Sequence, residues 1–137
     1  MSVLDRNSIL EAMTLKTERV PLGDGEVIVS EIGGSDYIAL WSDPNNQKVN
    51  ETLMDKDGKP VTEVDMTKFT PALIVKCVVD EAGNRIFADS DVDLIAKGAR
   101  GPFMAIAESA RKLNGMSGEA EKNSDDNQPS LPSIDSP

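Results

Sequence analysis

The sequence predicts an α+β fold dominated by helices: a small helical module with an N-terminal β-hairpin, ending in a disordered acidic tail. Three observations predict it. Two β-prone runs flank Gly23-Asp24-Gly25, a composition that tolerates the positive φ of a tight hairpin turn. Phe103, Ile106, Ala107, Ala110 and Leu113 recur at helical spacing, the clearest amphipathic pattern in the chain. From Met116 onward the composition turns to Ser, Gly, Glu, Asp, Asn and Pro, which buries too little apolar surface to offset the entropy of ordering. The expected division is a domain over 1–115 and a tail over 116–137.

The elements follow in order. Asp5 is a natural N-cap for a helix over about 5–14, with Ile9, Leu10 and Met13 on one face. Glu18–Leu22 and Glu26–Glu31 form the hairpin, and Pro21, lacking an amide proton, puts the first strand at an edge. Gly23-x-Gly25 has no Gly-Lys-Ser/Thr after it and so does not read as a phosphate loop. Ser35 is the expected cap of a helix over 36–41, where Tyr37, Leu40 and Trp41 share a packing face. These are the only Tyr and Trp of the chain. Core packing is their first role, with an aromatic patch for a partner as the alternative.

Segment 42–66 opens on the turn Asp43-Pro44-Asn45-Asn46 and reads as a second hairpin or a loop around Lys56–Pro60. Asp55-x-Asp57-Gly58 resembles a calcium loop, but the position five before the glycine is Leu53 and the ligand set fails. Thr70-Pro71 marks a helix start, with Leu73, Ile74, Cys77 and Val78 as its buried stripe. The valines there also permit a strand; the run's length and its start signal favour the helix. Asp80–Asn84 breaks it, and Arg85–Phe87 is extended. Asp89 or Ser90 is the expected cap of a helix from about Asp91 to Gly98, the alternating carboxylates favouring its N-terminal dipole rather than a metal. Gly101-Pro102 starts the last helix, and Asn114-Gly115 stops it.

Composition narrows the function classes. With 24 acidic and 14 basic residues the net charge is −10, unsuited to phosphate-backbone binding, which needs clustered Lys and Arg. The tail holds one Lys against five acids. There is no histidine, the commonest general base and metal ligand. Cys77, the single cysteine, sits in an apolar run and reads as a core residue rather than a nucleophile. One cysteine forms no internal disulfide, which fits a reducing compartment. No signal-peptide pattern and no membrane-length apolar run is seen. The expectation is a soluble intracellular protein that binds other proteins, with no catalytic, cofactor or metal site and no nucleic-acid or membrane partner.

Four pieces, in order, cover most of residues 4–117: the N-terminal helix leading to Glu18–Val29; Gly34-Ser-Asp-Tyr37 opening a helix; the apolar run into Val79-Asp-Glu-Ala-Gly-Asn-Arg-Ile-Phe-Ala-Asp-Ser-Asp-Val92; and the last helix with Leu113-Asn-Gly-Met-Ser117. In order and spacing this pattern resembles the tail assembly chaperones of long-tailed, lambda-like bacteriophages, although segment 42–66 is longer than that pattern. The resemblance implies a largely helical, self-associating protein of the host cytoplasm. It would keep the tape-measure protein soluble, help recruit tail-tube subunits and leave before the virion is complete. It implies client contacts at Tyr37, Trp41, Phe103, Met104 and Ile106. It also implies a second, longer product made by ribosomal frameshifting and carrying the tube-binding extension. Codons GAA-AAA-AAC for Glu121-Lys122-Asn123 would contain a slippery heptamer there. The alternative from another class is a structural virion component, such as a head–tail joining or tail-terminator protein; a small regulatory enzyme comes third.

Overall fold

The computed structural model describes residues 2–116. Along the chain run α1 (Arg6–Ala12), β1 (Thr17–Leu22), β2 (Gly25–Ser30), α2 (Gly34–Ser42), β3 (Gln47–Met54), β4 (Pro60–Val64), α3 (Met66–Cys77), β5 (Val78–Val79), α4 (Val92–Ala96) and α5 (Arg100–Leu113). The α+β expectation holds, with helices taking more of the described chain than strands. No described helix is long and apolar enough to cross a membrane. The expected disordered tail and the Glu121–Asn123 site lie outside the described residues, except that Met116 is buried in the core and belongs to the domain.

The centre of the molecule is α3. Phe69, Leu73 and Cys77 join Val20, Val29, Ile32, Leu40, Ala110 and Met116 in the main cluster. On its other side Ile74, Val78 and Ala107 form a second cluster, backed by Phe87, Ile95 and Phe103. Ile106 touches both clusters. The amphipathic α5 packs against α3, β1 and β2, and the small Ala107 and Ala110, both fully buried, permit that close approach.

The α3 start was expected at Thr70-Pro71; it lies earlier, and Pro71 is inside the helix. Asp65 is the cap: its carboxylate accepts from the Thr67 N–H at 3.1 Å and the Thr67 hydroxyl at 2.6 Å. An interior proline loses one backbone bond, and full burial of its ring offsets that loss. The helix-or-strand ambiguity of 71–79 resolves into both, because α3 runs directly into β5. β5 pairs antiparallel with β2, Ile28 facing Val79 and Val29 facing Val78, giving the sheet order β1-β2-β5. This third strand was not expected. Pro21 sits on the edge strand β1, as its missing N–H requires.

Segment 42–66 is a hairpin. β3 pairs with β4 in a separate two-stranded sheet, with a register shift between Asn50 and Met54. Its turn repeats a device used elsewhere. The Asp55 carboxylate accepts from the N–H groups of Asp57 and Lys59 at 2.9 and 3.0 Å, with Gly58 at φ 82°. The Asp80 carboxylate accepts from Ala82 and Asn84, both at 2.9 Å, with Gly83 at φ 87°. In each, the Asp side chain saturates the turn's amides and the glycine takes the left-handed conformation. The Asp80 turn does more than break a helix: it returns the chain so that Arg85 bridges to Val79.

Three expected caps shift. The first residue of α2 is Gly34, and Gly33 rather than Ser35 precedes it, with no side-chain cap. Neither Asp89 nor Ser90 caps α4; a 3-10 turn over Asp89–Asp91 leads into it. Asp89 instead accepts from Arg85 at 2.7 Å, and the Asp91 carboxylate reaches back to the Ala88 N–H at 2.9 Å. α5 starts at Arg100, one residue before the expected Gly101. Its end is as expected: Gly115 has φ 72°, the Gly115 N–H bonds the Lys112 carbonyl at 3.3 Å and the Met116 N–H bonds the Arg111 carbonyl at 2.6 Å, a Schellman closure.

Candidate functional site

An open groove of about 580 Å³ lies between the start of α2 and the end of α5, lined by Glu31, Ile32, Gly34, Tyr37, Ile38, Leu113, Asn114 and Gly115. Each wall has a local cause. Ile32 is held by its N–H, which donates to Asn114 Oδ1 at 3.0 Å. Asn114 in turn donates through Nδ2 to the Ala110 carbonyl at 2.8 Å and lies 3.6 Å from Cys77 Sγ. One side chain thus ties the exit of β2, the end of α5 and the base of α3 together. The opposite wall is α2, whose far end is fixed by buried Asn46 donating to the Leu40 carbonyl at 3.0 Å.

The structure separates the five residues picked from the sequence. Tyr37 is half-buried against the main cluster and lines the groove. Trp41, one turn on, is 36% exposed. Its ring lies 4.5 Å from that of buried Phe69 and 6.1 Å from that of Tyr37, both pairs tilted, the preferred arrangement for aromatic quadrupoles. Phe103 and Ile106 are half-buried, packed on the second cluster. Met104, between them, points outward at 41% exposure. Tyr37 and Trp41 therefore form one aromatic ledge beside the groove, while the α5 residues serve mainly as internal packing.

The sequence reading missed Ile38, Ile32 and Leu113. Ile38 is 66% exposed, because a step of 100° per residue carries it off the Tyr37–Leu40–Trp41 face. An Ile on the solvent side of a short helix was the available signal. The same reading placed Ile9, Leu10 and Met13 on one helix face; that face meets nothing in the described chain, and the three are 45%, 49% and 69% exposed.

Several ionisable groups are tied into the fold. The Cys77 thiol is buried, and burial pushes its pKa up to about 12, so it stays protonated and is a poor nucleophile. Glu18 accepts from the Ser109 hydroxyl at 2.5 Å and from Lys112 Nζ at 2.7 Å. The Lys112 and Ser109 hydrogen bonds, in that order, hold its carboxyl below the ordinary value, pinning β1 to α5. Arg19 joins Glu26 at 2.6 Å and Glu81 at 3.0 Å on the surface. Among the described residues no cluster of His, Cys, Asp or Glu is placed to hold a metal ion. The groove offers apolar side chains, a tyrosine ring and an amide: it can bury apolar groups of a partner. Compared with known proteins, the chain gives no match to a protein-family model, to a curated protein or to a solved structure.

Proposed function

We propose that this protein is a phage tail assembly chaperone that holds the tape-measure protein in the host cytoplasm until tail-tube subunits enclose it. The observation that carries the reading is the open apolar groove with Tyr37 and Ile38 on one wall and Leu113 on the other, next to the Tyr37–Trp41 ledge. A long helical client with apolar stripes needs such a surface to bury them. The net charge of −10 keeps the loaded complex from associating further. Tail-tube recruitment falls to the frameshifted longer product on this reading, and the chaperone departs before the virion is finished.

Co-expression with the tape-measure protein of the same phage is the test. The unaltered chain should keep that client in the soluble fraction, and Ile38→Asp should lose this while keeping its circular dichroism spectrum and Tm. A folded Ile38→Asp protein that protects the client fully would end the groove assignment. Finding the protein in purified virions by mass spectrometry would replace the chaperone reading with that of a structural virion component.

A further inference from the structure

The last described residues form one wall of the groove. Gly115 lines it, and its φ of 72° turns the backbone at the end of α5. Met116, the last described residue, is buried in the main cluster. Among residues 117–137, which follow, Leu131 and Ile134 are the only large apolar side chains, and each has a proline two positions before it, Pro129 and Pro132. Proline favours the polyproline II conformation, whose three residues per turn set positions 131 and 134 on one face.

The groove has the matching character. Its volume of about 580 Å³ falls in the range of clefts that enclose a small ligand, roughly 300–1,000 Å³, enough for a short peptide and too little for a domain. Ile32, Tyr37, Ile38 and Leu113 give it apolar walls, and the Trp41 ring stands 6.1 Å from that of Tyr37. Aromatic-lined grooves are the surfaces that receive proline-rich segments. A polyproline II stretch makes no internal hydrogen bonds and keeps its backbone in water, so an open groove can take its side chains without stranding a polar group.

We infer that Leu131-Pro132-Ser133-Ile134 of the same chain occupies this groove, and that any other ligand of the groove must displace it. Reach permits the contact. From Met116 to Leu131 the chain advances 15 residues (131 − 116), up to about 50 Å when extended, ample for returning to a wall it has just left. Tethering makes the contact intramolecular, at an effective concentration on the order of 1 mM. A segment that binds at about 0.1 mM as a free peptide is then docked about nine-tenths of the time. The same segment on a second copy, at micromolar protein, is about a thousandfold more dilute. The contact does not depend on which partner uses the groove.

The test uses the full chain with a nitroxide spin label on Ser136→Cys; Cys77, buried and protonated, does not compete for the label. The label should broaden the amide signals of Tyr37, Ile38 and Leu113, and adding Leu131→Asp/Ile134→Asp or Ile38→Asp should abolish that broadening. No broadening in the unaltered background overturns the contact. Broadening that survives Leu131→Asp/Ile134→Asp overturns those two side chains as its anchors, and broadening that survives Ile38→Asp overturns the groove as its seat. A mixture of labelled chain with unlabelled, ¹⁵N-enriched chain should show none; broadening there would make a second copy the occupant. A fluorescein-labelled peptide of residues 127–137 should bind the Leu131→Asp/Ile134→Asp chain about tenfold more tightly than the unaltered chain, whose groove is filled. Equal binding overturns the occupancy.

Discussion

α3 and α1 are both capped by an aspartate and both carry apolar residues at helical spacing, yet one is the most buried of the described helices and the other has no buried residue. Spacing reports that a helix has an apolar face; it does not report what the face meets. In α3 the apolar residues run almost all round, so any compact arrangement must place it at the centre. In α1 a narrow stripe sits on a seven-residue helix joined to β1 by only Met13–Lys16, and the described chain places nothing over it.

The comparison can be broken most forcefully at α3. Phe69→Ala or Leu73→Ala, each at a side chain 1% exposed, should cost about 3–5 kcal/mol by urea denaturation. A cost below about 1 kcal/mol would mean that α3 is not the centre of the core. The two Asp–Gly turns sharpen it next. Gly83→Ala should lose about 1–2 kcal/mol for a left-handed residue at φ 87°, since this turn is tied to the core through β5. Gly58→Ala at φ 82° meets the same local strain, but in the exposed β3–β4 hairpin it should be spent as local fraying and move the global midpoint less. Hydrogen exchange of the Asp55 and Lys59 amides would show it.

A smaller effect is expected from pH. The folded-state pKa of Glu18 lies below its ordinary value of 4.5, so its stabilising contribution is present above that value and fades as pH falls through the folded pKa. Asp65 and Asp89 are lowered likewise, Asp65 chiefly by its hydrogen bond with Thr67 and Asp89 by that with Arg85. The urea midpoint should therefore fall below about pH 4.5, and Glu18→Gln should make that decline shallower. An unchanged decline would show that the Glu18–Lys112 link carries no stability. The smallest effect belongs to α1. Ile9→Ser/Leu10→Ser/Met13→Ser should change the unfolding free energy by less than about 0.5 kcal/mol, as for exposed positions generally. A large loss would show that α1 packs on its own chain.

Local chemistry was the legible part. Gly23-Asp24, Asn114-Gly115 and Asp5 each act through neighbours a few residues away, and each marks the boundary expected of it. Cys77 was recognisable as a core residue from its apolar run, and it is fully buried. Segment 42–66 was half legible, because its turn is local but its strand register depends on a bulge at Asn50–Met54. The start of α3 was misplaced because Thr70-Pro71 imitates a helix start and hides the Asp65–Thr67 cap. Of the residues lining the groove, Tyr37 alone was expected as a contact residue from the sequence.

The amino-acid sequence by itself determined the helices' apolar faces, the hairpin turns, the stop of α5 and the acidic surface, since these depend on periodicity, backbone preference and charge. Tertiary structure alone decided that Val78–Val79 completes a sheet with β2, that Asn114 joins three elements, and that Phe103 and Ile106 turn inward while Ile38 turns out. Those outcomes join residues far apart in the chain. Which of several apolar faces finds a partner inside the fold is settled by the competition among all of them for one core, and α1 is the face left outside.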